Sequence, residues 1–283
     1  MNSNIIDGKK IASEIKNEVF IEVEELKSKN IIPTLAVVIV GNDPASKVYV
    51  KNKKKACDET GILSRSFELA EETTETELLK LIDELNNDKN INGILIQLPL
   101  PNHINEHNVL LRISPEKDVD GFHPYNVGLL NIGNALLKPC TPSGIIELLK
   151  RSSVEISGKN CVIVGRSNIV GKPISSLLLS ENGTVTITHS KTKNLSDVTS
   201  NADILIVAIG KTKFITSDMI KEDVVIIDVG INRDGKKLFG DVDFEDCKTK
   251  ASLITPVPGG VGPMTIAMLM KNCLLACKSQ HNL

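Results

Sequence analysis

The sequence predicts an α/β protein of two doubly wound domains, and three observations carry that expectation. Its 283 residues are enough for about two domains that each bury a core. Short apolar runs alternate with amphipathic, helix-like stretches, the pattern of a parallel sheet flanked by helices. The alternation breaks once, in turn-rich sequence between residues 114 and 139, and then resumes.

The elements follow in order. Asp7 is placed to cap a helix whose apolar residues Ile11, Ile15, Val19, Val23 and Leu26 recur at helical spacing. TLAVVIVG, residues 34–41, is too continuously apolar for a half-exposed strand and suits a parallel strand covered on both faces. Asp43 then caps, and Pro44 opens, a helix that should stop near Gly61. A strand near 64–69 precedes the capping box Thr74-x-x-Glu77, a helix, and the apolar strand GILIQLPLP from Gly93. PEKDVDGFHPYN reads as the crossing between domains, and Thr141 and Pro142 start the next helix, GIIELLKR. The second half opens its own series with CVIVG, a helix after Gly171, then TVTIT, ILIVAIG and VVIIDVG. The tail ITPVPGGVGPMTIAMLMKNCLLACK sets a Pro- and Gly-rich loop before an apolar helix expected to return to the first domain.

Composition narrows the partners. Hydrophobic residues at 41% and charged residues at 24% are ordinary globular values, and a formal charge of −2 lacks the basic excess of a nucleic-acid or membrane-surface binder. Small molecules are the expected ligands. The six cysteines form neither CxxC pairs nor a disulfide framework, and no apolar stretch is long enough to span a membrane. With charges arriving early in MNSNIIDGKKIASEIK, a cytoplasmic protein is expected.

The dinucleotide signal lies in GKNCVIVGRSNIVGKP, where a strand ends at Gly165 and a helix opens near Gly171. Backbone amides and a helix N-terminus there face a common point, which suits a pyrophosphate. The turn reads Gly165-x-Ser167-x-x-Val170-Gly171 rather than G-x-G-x-x-G, so an ordinary strand-to-helix turn is also compatible. After the next strand, where an NAD enzyme usually carries an acid for the ribose hydroxyls, stands His189-Ser190-Lys191. With Arg166, these residues suit a 2′-phosphate and favour NADP, although solvated loop charges would read alike.

The reaction-centre signal lies in the first half. Tyr49 and Lys53 stand four apart on the helix opened by Pro44 and share a face, with Ser46 near its start. Lys51, Lys54 and Lys55 read as a mostly solvated surface. Gln97 ends its strand where an open parallel sheet binds ligands. Asp118 and Asp120 either bind a ligand amine or shape a turn, and no further acidic or histidine cluster supports a metal.

Taken together, YVKNKKKAC, GILIQLPLP, PEKDVDGFHP, PCTPSG, VGRSNIVGKP, THSKT and ITPVPGGVGPMT resemble the bifunctional methylenetetrahydrofolate dehydrogenase/methenyltetrahydrofolate cyclohydrolase family, in order and over nearly the whole chain. The resemblance implies oxidation of 5,10-methylenetetrahydrofolate with NADP⁺, then hydrolysis to 10-formyltetrahydrofolate, both in one active-site cleft. It implies a folate-binding catalytic domain over 1–140 completed by the helix 264–283, and a Rossmann-like NADP-binding domain over 141–263. Lys53 is then the proton-handling residue, Gln97 sets its position, Tyr49 flanks the folate and Asp120 binds the pterin. Ser46, Leu98, Pro99, Pro258 and Gly259 complete the substrate contacts. Gly165, Arg166, Ser167, Ile169, His189, Ser190, Ile231, Gly262 and Thr265 are the implied cofactor contacts. The resemblance also implies a homodimer serving one-carbon metabolism and purine biosynthesis. A monofunctional dehydrogenase is the alternative; a shikimate-type dehydrogenase is disfavoured by PEKDVDG and TPVPGGVGP, and a cofactor-binding protein without catalysis by the retained Lys53, Gln97 and Asp120.

Overall fold

A computed structural model describes residues 4–235 and 237–283, the side chain of Ala45 excepted. The chain divides into two compact units, one of Ser13–Cys140 with Ile266–Leu283, the other of the chain up to Ala12 with Thr141–Thr265.

The first helix, α1 (Gly8–Ser28), opens where the Asp7 carboxylate accepts the Lys10 amide at 3.0 Å, and all five residues of its predicted apolar stripe are buried. Strand β1 (Thr34–Val40) is buried at every position, as its continuous apolar run requires. Helix α2 (Pro44–Thr60) is capped by Asp43, whose side chain accepts the Ser46 amide at 2.7 Å. Strand β2 (Leu63–Leu69), the half-buried strand, leads to α3 (Glu75–Asn87), where the Thr74–Glu77 capping box forms in both directions. Strand β3 (Gly93–Ile96) completes a parallel sheet ordered β2-β1-β3, over which Leu78, Ile82 and Leu85 of α3 pack with Ile94 and Ile96.

After a short helix α4 (Glu106–Arg112), the turn-rich stretch of residues 114–139 holds a further short helix, α5 (Pro124–Asn131). Helix α5 escapes a periodicity reading because it is two turns long; its start is local, with Pro124 in the first turn and the His123 ring accepting the Tyr125 amide at 3.1 Å. The C-terminal residues Ile266–Leu283 belong to this unit: Cys57 Sγ lies 3.7 Å from Met270 Sδ, and Asn272 bonds Val119 O and Lys138 O at 2.8 Å each.

The second unit starts with α6 (Cys140–Arg151), then runs β4 (Asn160–Val164), α7 (Gly171–Ser180), β5 (Thr184–Thr188), α8 (Leu195–Thr199), β6 (Ile204–Val207) and β7 (Val225–Asp228). A hairpin of β8 (Asn232–Asp234) and β9 (Lys237–Phe239), a short α9 (Phe244–Cys247), β10 (Leu253–Ile254) and the start of α10 (Val261–Gln280) complete it. Its five parallel strands are ordered β10-β7-β6-β4-β5, so β4 and its glycine turn sit inside the sheet. The chain before Ala12, expected with the first domain, falls in this unit because it pairs with β10: Ile5 bridges Ile254 in parallel, and Ile6 N donates to Ile254 O at 2.9 Å. Among the described residues no helix is long and apolar enough to cross a membrane.

Candidate functional site

In the first unit, α2 carries Ser46 buried, Tyr49 47% exposed and Lys53 half-buried along one face, while Lys51, Lys54 and Lys55 are exposed. Lys53 Nζ donates to Gln97 Oε1 at 3.0 Å. The amide orientation of Gln97 is fixed from the other end, because its Nε2 donates to Leu98 O at 2.6 Å. Gln97 sits one residue beyond β3 with its backbone N still bonded to Val38 O at 2.8 Å, so the sheet holds it; the cis Leu98–Pro99 bond follows directly.

Asp118 and Asp120 separate cleanly. Buried Asp118 accepts the His123 amide at 2.8 Å and the Asn126 side chain at 2.9 Å, and so shapes the turn. Half-buried Asp120 meets only the Cys140 thiol, at 4.0 Å, among the described residues. Removal from water pushes its carboxyl up to about 6; the Lys53 ammonium pulls the other way and Asp118 adds to the rise. Burial likewise drives the Cys140 thiol well above its ordinary value, so it is a neutral neighbour. Lys53, Gln97 and Asp120 thus form one electrostatically coupled group.

In the second unit the predicted glycine turn follows β4. Gly165 has φ +129, and a Cβ there would lie 2.3 Å from Ala208 O, so only glycine lets the backbone pass. Ser167 Oγ accepts the Val170 and Gly171 amides at 3.2 and 3.3 Å at the start of α7, which leaves its O–H to donate outward. Arg166 is exposed and makes no hydrogen bond or ion pair among the described residues. The neighbouring strand brings His189–Ser190 alongside: Gly165 N donates to Thr188 O at 3.1 Å. His189 Nδ1 accepts the Lys191 amide at 3.1 Å, so Nε2 is the ring's free donor. Ile169 and Ile231 are each 51% exposed, unusual for isoleucine.

A pocket in this unit is lined by Ile231, Pro258, Gly259 and Gly262 together with Lys9 and Asp228. Thr265 pairs with Thr141, hydroxyl to hydroxyl, at 2.8 Å. Among the described residues no group of three or more His, Cys, Asp and Glu is placed to hold a metal ion.

Residues 6–120 match the tetrahydrofolate dehydrogenase/cyclohydrolase catalytic domain, and residues 139–281 match the NAD(P)-binding domain of the same enzymes. The chain belongs to the tetrahydrofolate dehydrogenase/cyclohydrolase family. It is 64% identical over 277 residues to the bifunctional protein FolD of Agathobacter rectalis, covering 98% of this chain and 99% of that one. The FolD methylenetetrahydrofolate dehydrogenase/cyclohydrolase of Campylobacter jejuni superposes with a TM-score of 0.95 at 51% identity, over 97% of this chain and 98% of its own. The Trypanosoma brucei FolD structure, complexed with NADP and an inhibitor, gives 0.94 at 39% identity over 99% and 98% of the two chains.

Within this dehydrogenase/cyclohydrolase, sequence reasoning overlooked two buried carboxylates of the second unit. Asp241 accepts the amides of Ile209, Gly210 and Lys211 at 2.6–2.9 Å and fixes the loop after β6. Asp228, at the end of β7, accepts three backbone amides, yet burial still pushes its carboxyl up to about 7. Its strand-end position, the same rule that marked Gln97, was the available signal.

Proposed function

We infer that the protein oxidises 5,10-methylenetetrahydrofolate to the 5,10-methenyl cation with NADP⁺ and then hydrolyses that cation to 10-formyltetrahydrofolate. The observation that carries this reading is the Lys53–Gln97 hydrogen bond of 3.0 Å beside Asp120, in a chain whose two parts match the catalytic and NAD(P)-binding domains of one family. The bifunctional reading is favoured over a monofunctional dehydrogenase because the relatives it matches at 54–64% identity carry the bifunctional name.

NADP⁺, when bound, accepts the hydride that leaves the methylene carbon. The second unit fits such a cofactor. The bare backbone at Gly165, the outward Ser167 hydroxyl and the unpaired Arg166 hold phosphate, and Ser190 with His189 Nε2 receives the 2′-phosphate where no carboxylate repels it. Ile169, Ile231, Gly262 and Thr265 line the rest of the cofactor, with the two exposed isoleucines covering its rings.

The chain's own groups do the rest. Gln97 accepts one of the three ammonium hydrogens of Lys53 and so fixes the direction of the others. Lys53 handles the proton released when water adds to the methenyl carbon. Asp120, ionised at neutral pH, takes two hydrogen bonds from the pterin amino group and ring nitrogen. Tyr49, Ser46, Leu98, Pro99, Pro258 and Gly259 complete the folate contacts. The folate-binding part is assigned to 13–140 with 266–283, and the cofactor-binding part to 141–265 with the chain up to Ala12.

The enzyme is assigned to the cytoplasm, which its six free cysteines support, and to one-carbon supply for purine biosynthesis. It is assigned a homodimeric state. The sheet edge at β5, which leaves one row of backbone groups free to pair, supports this, and a monomer by light scattering would overturn it.

Mixing the purified protein with methylenetetrahydrofolate and each nicotinamide cofactor in turn tests substrate, cofactor and both steps. Methenyl absorbance should rise with NADP⁺ and then fall as 10-formyltetrahydrofolate forms. No methenyl product with either cofactor would remove the function, and decay no faster than in buffer would leave only the dehydrogenase.

A further inference from the structure

Asp241 is fully buried and takes no part in the mechanism above, yet the fold brings it to the end of the second unit where its strands finish. The β8–β9 hairpin, in which Asn232 pairs with Phe239, carries the chain out and back, so that Asp241 returns beside the bend that leaves β7. Its backbone is held there: the amide donates to Asp228 Oδ1 at 2.9 Å, and the carbonyl accepts Phe214 N and Ile215 N at 2.7 and 3.0 Å. Gly230 makes room for the side chain, because a Cβ at that position would lie 2.3 Å from Asp241 Cγ.

The carboxylate then joins two loops. Oδ2 accepts the amides of Ile209 and Gly210 at 2.6 and 2.9 Å, and Oδ1 accepts the Lys211 amide and Asn232 Nδ2 at 2.8 Å each. Gly210, at φ +66, bends the loop after β6 so that three successive amides converge, an arrangement that elsewhere cradles bound anions. Here the protein fills the cradle with its own anion, and four donors take up the carboxylate's lone pairs. The first loop adjoins the glycine turn: Ala208 N donates to Val164 O at 2.8 Å, and Ala208 O is the atom that a Gly165 Cβ would strike. The second presents Ile231, the residue before Asn232, exposed at the pocket that Pro258 and Gly259 also line.

We propose that Asp241 is a positioning residue for the dinucleotide, which locks the loop after β6 to the Ile231 bend and so holds two walls of the cofactor site at one spacing. This rests on the NADP⁺-dependent function above and names a support of its cofactor site. Both loops leave the C-terminal ends of neighbouring parallel strands, where an open sheet binds its ligand. Asp203 provides the contrast. It accepts the Asn160 amide at 2.7 Å and pairs with Lys221, so it too braces the unit, but it precedes β6 and lies at the opposite end of that four-residue strand, roughly 13 Å away.

Calorimetric binding of NADP⁺ and of tetrahydrofolate to the wild-type protein and to Asp241→Asn, Asn232→Ala and Asp203→Asn, with melting of each by circular dichroism, tests the inference. Asparagine at 241 turns an NH₂ group towards two of the four donors, so Asp241→Asn should weaken NADP⁺ about ten-fold and leave tetrahydrofolate within about two-fold. Asn232→Ala removes one donor and keeps the carboxylate, and should weaken NADP⁺ about three-fold; it decides alone if Asp241→Asn does not fold. Asp203→Asn should lower Tm and leave NADP⁺ affinity at the wild-type value. Unchanged NADP⁺ affinity in both Asp241→Asn and Asn232→Ala would overturn the proposal. So would an equal loss for tetrahydrofolate, or a loss of NADP⁺ affinity in Asp203→Asn as large as in Asp241→Asn, since either would reduce Asp241 to general stability. A wild-type protein that binds NADP⁺ in this Asp241-dependent way but turns over no methylenetetrahydrofolate would sink the proposed function and leave this role standing; a wild type that binds no NADP⁺ would sink both.

Discussion

Replacing Asp120 by asparagine should make the free protein more stable at neutral pH. The carboxyl rises from 3.8 to about 6 because burial removes it from water while, among the described residues, no hydrogen-bond donor closer than the Cys140 thiol at 4.0 Å compensates it. At about 1.4 kcal/mol per tenfold change, that difference makes the ionised group a burden of about 3 kcal/mol on the folded state. The sign follows from the protons bound. Between 3.8 and about 6 the folded protein holds a proton that the unfolded chain has released, so stability falls as pH rises through this window. Asparagine carries no charge at any pH. The variant should therefore gain about 3 kcal/mol at pH 7.5 but only about 1 kcal/mol near pH 4.5. For a unit of this size, the neutral-pH gain amounts to roughly 6–12 °C in Tm. With no tryptophan in the chain, circular dichroism is the suitable probe for melting both proteins at the two pH values without ligand. Asp228 also rises, to about 7, but it is present in both proteins and cancels in the difference. Equal stability of the two proteins at pH 7.5, or the same gain at both pH values, would refute the argument. The stabilised variant should also bind tetrahydrofolate more weakly, since the charge that burdens the fold is the one the pterin uses.

Three further perturbations follow from the same geometry. Lys53→Met should slow hydration of the methenyl compound at least about 100-fold while tetrahydrofolate binding and the circular dichroism spectrum persist, and normal hydrolysis would end the assignment. Ser190→Asp places a carboxylate after β5, where a 2′-phosphate is proposed to sit; NADP⁺ affinity should drop roughly ten-fold and NAD⁺ affinity should not, as titration with each cofactor would show. Gly165→Ala drives a Cβ to within 2.3 Å of Ala208 O in a left-handed backbone, so Tm and NADP⁺ affinity should fall together, and unchanged values in both would show that the turn relaxes freely.

What was legible in the sequence was whatever local pattern dictates. The continuous apolar run of β1, the Asp43 and Thr74 caps and the spacing of Tyr49 and Lys53 are short-range signals, and each formed where expected. The strand-end rule marked Gln97 alone; its pairing with Lys53, 44 residues away, was implied only by the family resemblance. Helix α5 was not legible because eight residues give too little periodicity to outweigh the turn-forming sequence before it. Nor was the pairing of Ile5 with Ile254, or the tie from Asn272 to Val119 and Lys138, because each joins residues more than a hundred positions apart and leaves no local trace.

The motif PEKDVDG shows why one of two similar acids is available for chemistry. Lys117 is buried and donates to the carbonyls of Leu85, Asn86 and Asp88 at 2.8–3.1 Å, where α3 ends, so its charge closes that helix. Asp118 accepts the amide of His123 and the side chain of Asn126, and Val119 O receives Asn272. The Lys117 ammonium, the Asp118 carboxylate and the Val119 carbonyl are thus each tied to the fold, which holds the segment in place. Among the described residues Asp120 has only the distant Cys140 thiol at 4.0 Å for a hydrogen-bond partner, two positions along from Asp118, whose Oδ2 accepts two hydrogen bonds. A rigid turn that carries an unsatisfied carboxylate costs stability in the free protein and loses little more on ordering when a ligand arrives, so the donors of a pterin ring supply what the fold withholds.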